Sequence, residues 1–236
     1  MKFLIVNADD FGYSRGINRG IAQAYERGIV TSTTLMVNAP AARDALELAR
    51  RLPRLAVGLH VNFTNEAERL VEFDDHAICR SELRRQFDLF VEMAGRPPSH
   101  LDSHQHVHRH PHRLPVFWEL AREHALHLRD MPPVVSRGGF YAQWEYMVTD
   151  ATKVSVEMLA RMLREEVPRG VTEFMCHPGY FDAALTAVYH KERELELATL
   201  CDPAVRRIVE EQGIELISHA QLPQALARLE QAGGRA

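Results

Sequence analysis

The chain has 236 residues, 46% of them hydrophobic and 25% charged, with a formal net charge of −4. This composition allows one α/β domain with its own hydrophobic core, and the weakly acidic balance excludes the basic surface typical of nucleic-acid-binding proteins. The chain contains no run of about 18 apolar residues, so no membrane span is predicted.

The N-terminus and the cysteines favour a cytoplasmic protein. The apolar run Met1–Val6 is too short for the core of a signal peptide and leads directly into acidic residues. Cys79, Cys176 and Cys201 are odd in number and far apart, which predicts free thiols rather than a disulfide framework. Free thiols are typical of the reducing cytoplasm.

Short strand patterns alternate with helical patterns along the whole chain. The predicted strands are Lys2–Asn7, Thr31–Asn38, Leu55–Asn62, Ser99–His104, Leu126–Arg129, Val171–Cys176 and Ile214–Ser218. The predicted helices lie between the cap Ser14 and Gly28, then over Ala41–Arg51, Ser81–Ala94, Pro111–His124, Val156–Val167, Pro203–Gln212 and about Gln221–Gln231. Seven such βα units predict a parallel α/β architecture in one domain, residues 1–236. The segment Asp130–Lys153 has no clear period and is predicted to be a long loop over the site.

An open doubly wound sheet and a barrel both fit this alternation, and the positions of polar residues favour the barrel. Ligand-like side chains follow at least four strands, at Asp9-Asp10, His60, His104 and His177. Barrel active sites gather on the carboxyl-terminal rim from several strands, whereas a doubly wound sheet concentrates them at one switch point.

Six of the thirteen histidines lie in the run His100–His112. In an extended segment the five from His104 onward would share one face over about 26 Å. One ion can therefore bind only one or two of them. We assign the last two histidines to a solvent-facing turn and expect at most one of His106 and His108 to be functional.

The acidic pair Asp9-Asp10 follows an apolar strand. Two adjacent carboxylates repel, and a bound cation is one way to keep both ionised. The alternative is that one aspartate leads into a helix and the other forms a turn. Asp10, His60 and His104 occupy equivalent strand ends and make a ligand set that suits zinc and other divalent ions. His60 alone could equally be a hydrogen-bonded core histidine. Asp102 precedes His104 by two residues and can orient a ligand imidazole through its second nitrogen.

His177 ends the sixth predicted strand, and Pro178 and Gly179 force a turn directly after it. Its imidazole can be a proton donor at the rim or simply a structural turn residue. We interpret the adjacent Cys176 as a small buried hydrophobe. Arg129, at the end of the fifth strand, can orient either a substrate oxygen or Asp9, and the sequence does not choose between them.

Taken together, the motifs resemble those of one family. They are, in chain order, Asn7–Gly12, Gly28–Thr34, Gly58–His60, His100–His108, Cys176–Tyr180 and Arg193–Glu196. Over about residues 3–218 the chain is similar to the YdjC-like carbohydrate deacetylases, which include the chitooligosaccharide deacetylases and a hopanoid-associated branch. The resemblance implies a distorted TIM-like (β/α) barrel with about seven parallel strands.

The resemblance also implies a metal-dependent hydrolase that removes an acetyl group from an N-acetylated amino sugar or short oligosaccharide. The implied ligands of one divalent ion, Mg²⁺ or Zn²⁺, are Asp10, His60 and His104. By analogy with polysaccharide deacetylases, Asp9 is the expected base and His177 the expected acid. The expected substrate-binding residues are Arg129 and Tyr180, and a homodimer is consistent with the family.

The chain departs from the family pattern after His60. The family commonly continues with a Leu-Thr-x-Gly-x-Pro-like stretch and a longer insertion, whereas here the short acidic segment Glu66–Asp75 leads to Ser81. We expect this segment to shape the sugar site, so the substrate itself is not predicted.

Two other functions compete with deacetylation. The same metal could serve phosphate ester cleavage, although the chain has no Gly-rich phosphate loop and no second set of carboxylate ligands. The chain could also be a non-catalytic metal-binding or sugar-binding barrel, but binding alone would not require Asp9 and His177.

Overall fold

The computed structural model describes residues 1–65, 68–145, 148–183 and 189–233. Its strands are β1 Lys2–Phe11, β2 Ser32–Leu35, β3 Ala56–Val61, β4 Thr64–Asn65, β5 Glu68–Arg69, β6 His100–Ser103, β7 His127–Leu128, β8 Val134–Arg137, β9 Gln143–Glu145, β10 Val148–Thr149, β11 Gly170–Cys176 and β12 Ile214–Leu216. Its α-helices are α1 Arg15–Arg27, α2 Ala42–Arg51, α3 His76–Ala94, α4 Leu114–Glu123, α5 Val156–Glu165, α6 Lys191–Leu200, α7 Pro203–Glu211 and α8 Leu222–Gly233.

Eight parallel strands form the central sheet, in the order β7-β6-β3-β2-β1-β11-β8, with β12 pairing the start of β1. β1 is the central strand: it pairs with β11 along Lys2–Ala8 and with β2 from Asn7 to Phe11. Every residue of β1 after Lys2 is buried. A parallel strand covered on both faces is expected to be continuously apolar, as this strand is until Asn7.

The sheet curls into an open barrel. Arg129 follows β7 at one end of the strand order, whereas Glu173 lies on β11 near the other end. The Arg129 Nε atom nevertheless lies 2.8 Å from Glu173 Oε1, which requires the two ends to approach each other. In the described ranges β7 and β8 do not pair, so the barrel stays open. The predicted distorted barrel is confirmed, with eight strands rather than seven.

Helix α1 positions the turn that follows β11. The helix begins after Ser14, whose Oγ accepts a hydrogen bond from Ile17 N at 3.2 Å. A Cβ atom at Gly20 would lie only 2.5 Å from the Cα atom of Gly179. Tyr180 N also donates to Gly16 O at 3.1 Å. The small residues of α1 thus let the turn after His177 pack directly against the helix backbone.

Three predictions from the sequence differ from the structure. The predicted loop Asp130–Lys153 contains β8, which pairs with β11, and the hairpin strands β9 and β10. The sequence analysis also missed α6, because its buried face includes the polar residues Arg193, Glu196 and Thr199 and so shows no apolar period. Helix α3 starts five residues before the predicted Ser81, where Asp75 caps it.

The histidine-rich run is not extended. Residues His104–Arg109 form a 3₁₀ helix in which Gln105 and His106 have left-handed backbone angles, with φ of 51° and 53°. The alternation expected of a strand is therefore lost directly after β6, and the predicted shared face of five histidines is wrong.

Two expectations from composition hold in the described part of the chain. No helix there is long and apolar enough to span a bilayer. Cys79, Cys176 and Cys201 are all free thiols, which confirms the predicted absence of a disulfide framework. Of the acidic segment Glu66–Asp75, residues Glu66 and Ala67 lie outside the described residues.

Candidate active site

The carboxyl ends of β1, β3 and β6 bring three predicted ligands together. Asp10 Oδ1 lies 3.3 Å from His60 Nε2 and 3.2 Å from His104 Nδ1. One ligand atom from each residue falls within 4.8 Å of the others. The Asp10 and His60 side chains are 2% exposed and that of His104 is 12% exposed, so the set opens on the His104 side. A carboxylate and two imidazoles at this spacing fit one divalent ion.

Asp102 orients His60 rather than His104. The two residues are register partners on β3 and β6, and Asp102 Oδ1 lies 2.6 Å from His60 Nδ1. Thr34 Oγ1 donates to Asp102 Oδ2 at 3.0 Å. Because Nδ1 is held in this way, Nε2 of His60 faces Asp10. The predicted second-nitrogen contact therefore exists, but on the ligand imidazole of the neighbouring strand.

The carboxylates around His60 control its protonation. Burial by itself would lower the pKa of His60, but Asp102, Asp10 and Asp9 together raise that pKa to about 10. In the metal-free protein His60 is therefore an imidazolium at neutral pH.

Arg129 holds the predicted base. Its Nη1 and Nη2 atoms donate to the two oxygens of Asp9 at 2.6 and 2.7 Å, and Nη2 also lies 2.8 Å from Asp102 Oδ2. Burial would raise the pKa of Asp9, but the Arg129 guanidinium outweighs it and holds that pKa well below its usual range. Arg129 is 1% exposed. Of its two predicted partners, Asp9 or a substrate oxygen, the geometry favours Asp9.

His177 lies on the other side of Asp9. Its Nε2 atom is 3.9 Å from Asp9 Oδ2, and its Nδ1 atom is 3.9 Å from Glu196 Oε1. The ring of Tyr141, from the segment predicted to cover the site, lies 4.9 Å from the imidazole between centroids. Burial lowers the pKa of His177 to about 4, against the opposing effect of Asp9 and Asp10. The imidazole is therefore neutral at neutral pH.

Most of the chain matches the model of one protein family. The model of the YdjC-like proteins matches residues 3–211. The chain belongs to the YdjC-like protein family.

Relatives of this YdjC-like protein cover almost all of it. It is 34% identical over 251 residues to a carbohydrate deacetylase from Brevibacillus brevis, a match that spans 93% of this chain and 99% of that one. It is 35% identical over 258 residues to a chitooligosaccharide deacetylase from Serratia marcescens, spanning 94% and 99%. A crystal structure from Enterococcus faecalis V583, described as a candidate cellobiose-phosphate cleavage protein, has a TM-score of 0.77 at 27% identity and covers 94% of this chain and 98% of that one.

Not every predicted residue of this YdjC-like protein faces the ligand set. The hydroxyl of Tyr180 donates to Gln23 Oε1 at 2.5 Å, which turns it toward α1. His108 is buried between Ser103 Oγ at 2.7 Å and Asp130 Oδ2 at 3.2 Å, which are structural contacts. Apart from His104, no histidine of the run belongs to the candidate ligand set. His110 and His112, which were assigned to a turn, are exposed as predicted.

Two residues of α6 complete the site, and sequence reasoning gave them no role. Arg193 Nη2 lies 2.6 Å from Asp10 Oδ2. Glu196 accepts hydrogen bonds from His177 N at 2.5 Å and from the Tyr189 hydroxyl at 2.6 Å. Burial raises the pKa of Glu196 to about 8 although these hydrogen bonds oppose it. The only signal in the sequence was a charged run in the family motif.

Proposed function

We propose that this YdjC-like protein is a metal-dependent carbohydrate N-deacetylase that hydrolyses the acetamide of an N-acetylated amino sugar or short chitooligosaccharide and releases acetate. The observation that carries the proposal is the position of the ionised carboxylate of Asp9, which lies between the candidate metal ligands and the neutral imidazole of His177. The names of the Brevibacillus and Serratia relatives support a carbohydrate acetamide as the substrate.

The ion would be held by Asp10, His60 and His104. When bound there, a divalent ion would polarise a carbonyl oxygen and lower the pKa of bound water to about 7. Two imidazoles in the ligand set favour zinc over magnesium, because Mg²⁺ is bound mainly by oxygen ligands.

Asp9 is proposed as the base that accepts the proton of the attacking water. Arg129 keeps it ionised and fixes both of its oxygens, so it acts on Asp9 and not on substrate. The next carrier of this proton is proposed to be Nε2 of His177, which lies 3.9 Å from Asp9 Oδ2.

His177 is proposed as the acid that passes this proton to the departing sugar nitrogen. The water oxygen forms the new bond to the acetyl carbon, the C–N bond breaks, and the proton ends on the amine. The ring of Tyr141 next to His177 excludes water from this side of the imidazole, which favours transfer to the substrate over loss to solvent.

Acetate release tests the proposal. Purified protein loaded separately with Zn²⁺, Mg²⁺ or Co²⁺ is incubated with N-acetylglucosamine and its oligomers, and acetate and free amine are measured. We expect release from at least one oligomer that is abolished in Asp9→Asn and retained in the exposed control His112→Ala. No release from metal-loaded protein would reject the proposed reaction.

The likeness to the Enterococcus protein gives a reason to test a second reaction. A phosphorylated disaccharide is added to the panel, and inorganic phosphate is measured beside acetate. Phosphate release that depends on Asp10 would favour phosphoester cleavage at the same ligand set, and binding without any product would favour a sugar-binding barrel.

A further inference from the structure

We propose that α6 is a positioning helix with two buried polar residues that each hold one part of the site: Arg193 holds Asp10, and Glu196 holds His177. The inference rests on the proposed deacetylase function and assigns roles to residues that the proposed chemistry does not use.

Arg193 selects which oxygen of Asp10 faces the ligand set. Its Nη2 atom lies 2.6 Å from Asp10 Oδ2, whereas His60 and His104 both approach Oδ1. The rest of the guanidinium is held by backbone oxygens, with Nε 3.0 Å from Tyr189 O and Nη1 3.4 Å from His177 O. A planar fork fixed at three nitrogens is pre-organised for this contact. Arg193 thereby leaves Asp10 a single free oxygen for an ion.

Arg193 also balances charge. The ionised pair Asp9 and Asp10 faces two buried guanidiniums, those of Arg129 and Arg193. Removing Arg193 leaves the Asp10 carboxylate without its guanidinium partner and releases Oδ2 from its hydrogen bond. We therefore expect its loss to preserve ion binding but to change the coordination of the ion.

Glu196 holds the backbone of His177 at the start of the turn after β11. Its Oε2 accepts from the backbone nitrogen of His177 and its Oε1 accepts from the Tyr189 hydroxyl, and its side chain is fully buried. The Tyr189 hydroxyl in turn accepts from Ala142 N at 3.0 Å, next to the Tyr141 ring that covers His177. Glu196 thus fixes the start of the turn that carries the imidazole and the wall beside it.

The two residues lie on one face of α6, because positions three apart in a helix are neighbours. Burying polar side chains is unfavourable compared with packing apolar ones unless each finds a partner, and the neighbouring buried positions Leu197 and Leu200 are apolar. Stability of α6 alone would therefore favour apolar residues at both positions, and the contacts to Asp10 and His177 give the reason for the polar side chains.

Two variants with neutral side chains test the proposed roles of Arg193 and Glu196 separately. Co²⁺ is used as the probe ion, with its visible absorption spectrum and its affinity as one readout, and kcat and KM for acetate release as the other. We expect Arg193→Gln to change the Co²⁺ spectrum and to lower kcat. We expect Glu196→Leu to leave the spectrum unchanged and to lower kcat about 10- to 100-fold at nearly constant KM, with part of the loss recovered in Glu196→Gln, which keeps one acceptor. The matched controls are Glu210→Gln and Arg207→Gln, both exposed on α7.

Some outcomes overturn the inference. An unchanged Co²⁺ spectrum in Arg193→Gln, or a kcat of Glu196→Leu within two-fold of wild type, rejects the corresponding role. Equal loss of ion affinity and melting temperature in both variants, with kcat per folded site unchanged, shows a purely structural helix.

The test does not depend on finding the substrate. If wild-type protein releases no acetate, the proposed function fails, but the Co²⁺ spectrum still tests Arg193. The ¹⁵N–¹H signal of the His177 amide, which donates to the Glu196 carboxyl group in wild type, still tests Glu196. A large shift of that signal in Glu196→Gln but not in Glu210→Gln supports the contact, and identical shifts reject it.

Discussion

His60 Nδ1 lies 2.6 Å from Asp102 Oδ1, and the two residues face each other in register on neighbouring parallel strands. This pair fixes the direction of the ligand nitrogen Nε2. It also explains why a buried imidazole keeps its proton: burial disfavours the charge, but the carboxylates of Asp102 and Asp10 outweigh burial.

Ion binding is expected to release about one proton at pH 7. The folded pKa of His60, about 10, lies above its ordinary value of 6.5, so an ion must displace a proton from Nε2 at any pH below about 10. Zinc affinity should then rise about 10-fold per pH unit between pH 6 and 8. Calorimetric titrations in buffers of different ionisation enthalpy measure the released proton. The variant Asp102→Asn should bind zinc more weakly and release fewer protons on binding. A zinc affinity of the wild-type protein that does not change with pH would contradict the assignment of His60 as a ligand.

Substituting a proposed metal ligand and substituting the proposed acid should have different effects on ion binding and turnover. His104→Ala should lose ion and activity together, because it removes a ligand. His177→Ala should keep the ion but lower kcat by about 10²–10⁴, the usual contribution of a general acid. Metal content and single-turnover acetate release are measured on the same preparations, with the exposed His112→Ala as control. Turnover of His177→Ala within a few-fold of wild type would show that another group delivers the proton.

Arg129→Met should destabilise the protein strongly. The substitution leaves the carboxylates of Asp9 and Glu173 buried without their cation, and breaking a buried ion pair from one side costs about 3–5 kcal/mol. Urea unfolding followed by circular dichroism measures the change. The control is Arg228→Met, which breaks a similar two-bond pair with Glu215 on the surface and should leave the free energy of unfolding nearly unchanged. An equal loss of the free energy of unfolding in both variants would mean that burial does not determine how much the ion pairs of Arg129 contribute to stability.

Gly20→Ala should lower activity despite the better helix propensity of alanine. The new methyl group would lie 2.5 Å from Gly179 Cα, so the turn that carries His177 must move, and overpacking costs about 1–3 kcal/mol. We expect a lower kcat with unchanged ion affinity. Gly233→Ala, at a helix position with open space around it, is the control, and a stabilised, fully active Gly20→Ala would show that the turn is not held against α1.

Local patterns were enough to predict most strands and the residues at their ends. Apolar runs bounded by polar residues mark buried parallel strands, so β1, β3 and β6 were predicted together with Asp10, His60 and His104. The same rule failed for α6, whose buried face is polar, and for the histidine run after β6, where left-handed backbone angles at Gln105 and His106 end the strand.

By itself the sequence determined the order of the strands along the chain and the meeting of the candidate ligand residues at the carboxyl-terminal rim, because these depend on backbone periodicity and on the parallel direction of the strands. Only the tertiary structure decided which charge pairs with which. Arg193 reaches Asp10 across 183 residues, and Arg129 reaches Asp9 across 120. Such pairs form because a buried charge must find a partner once water is excluded, and the partner is chosen by the curl of the sheet and the docking of α6, neither of which has a local pattern.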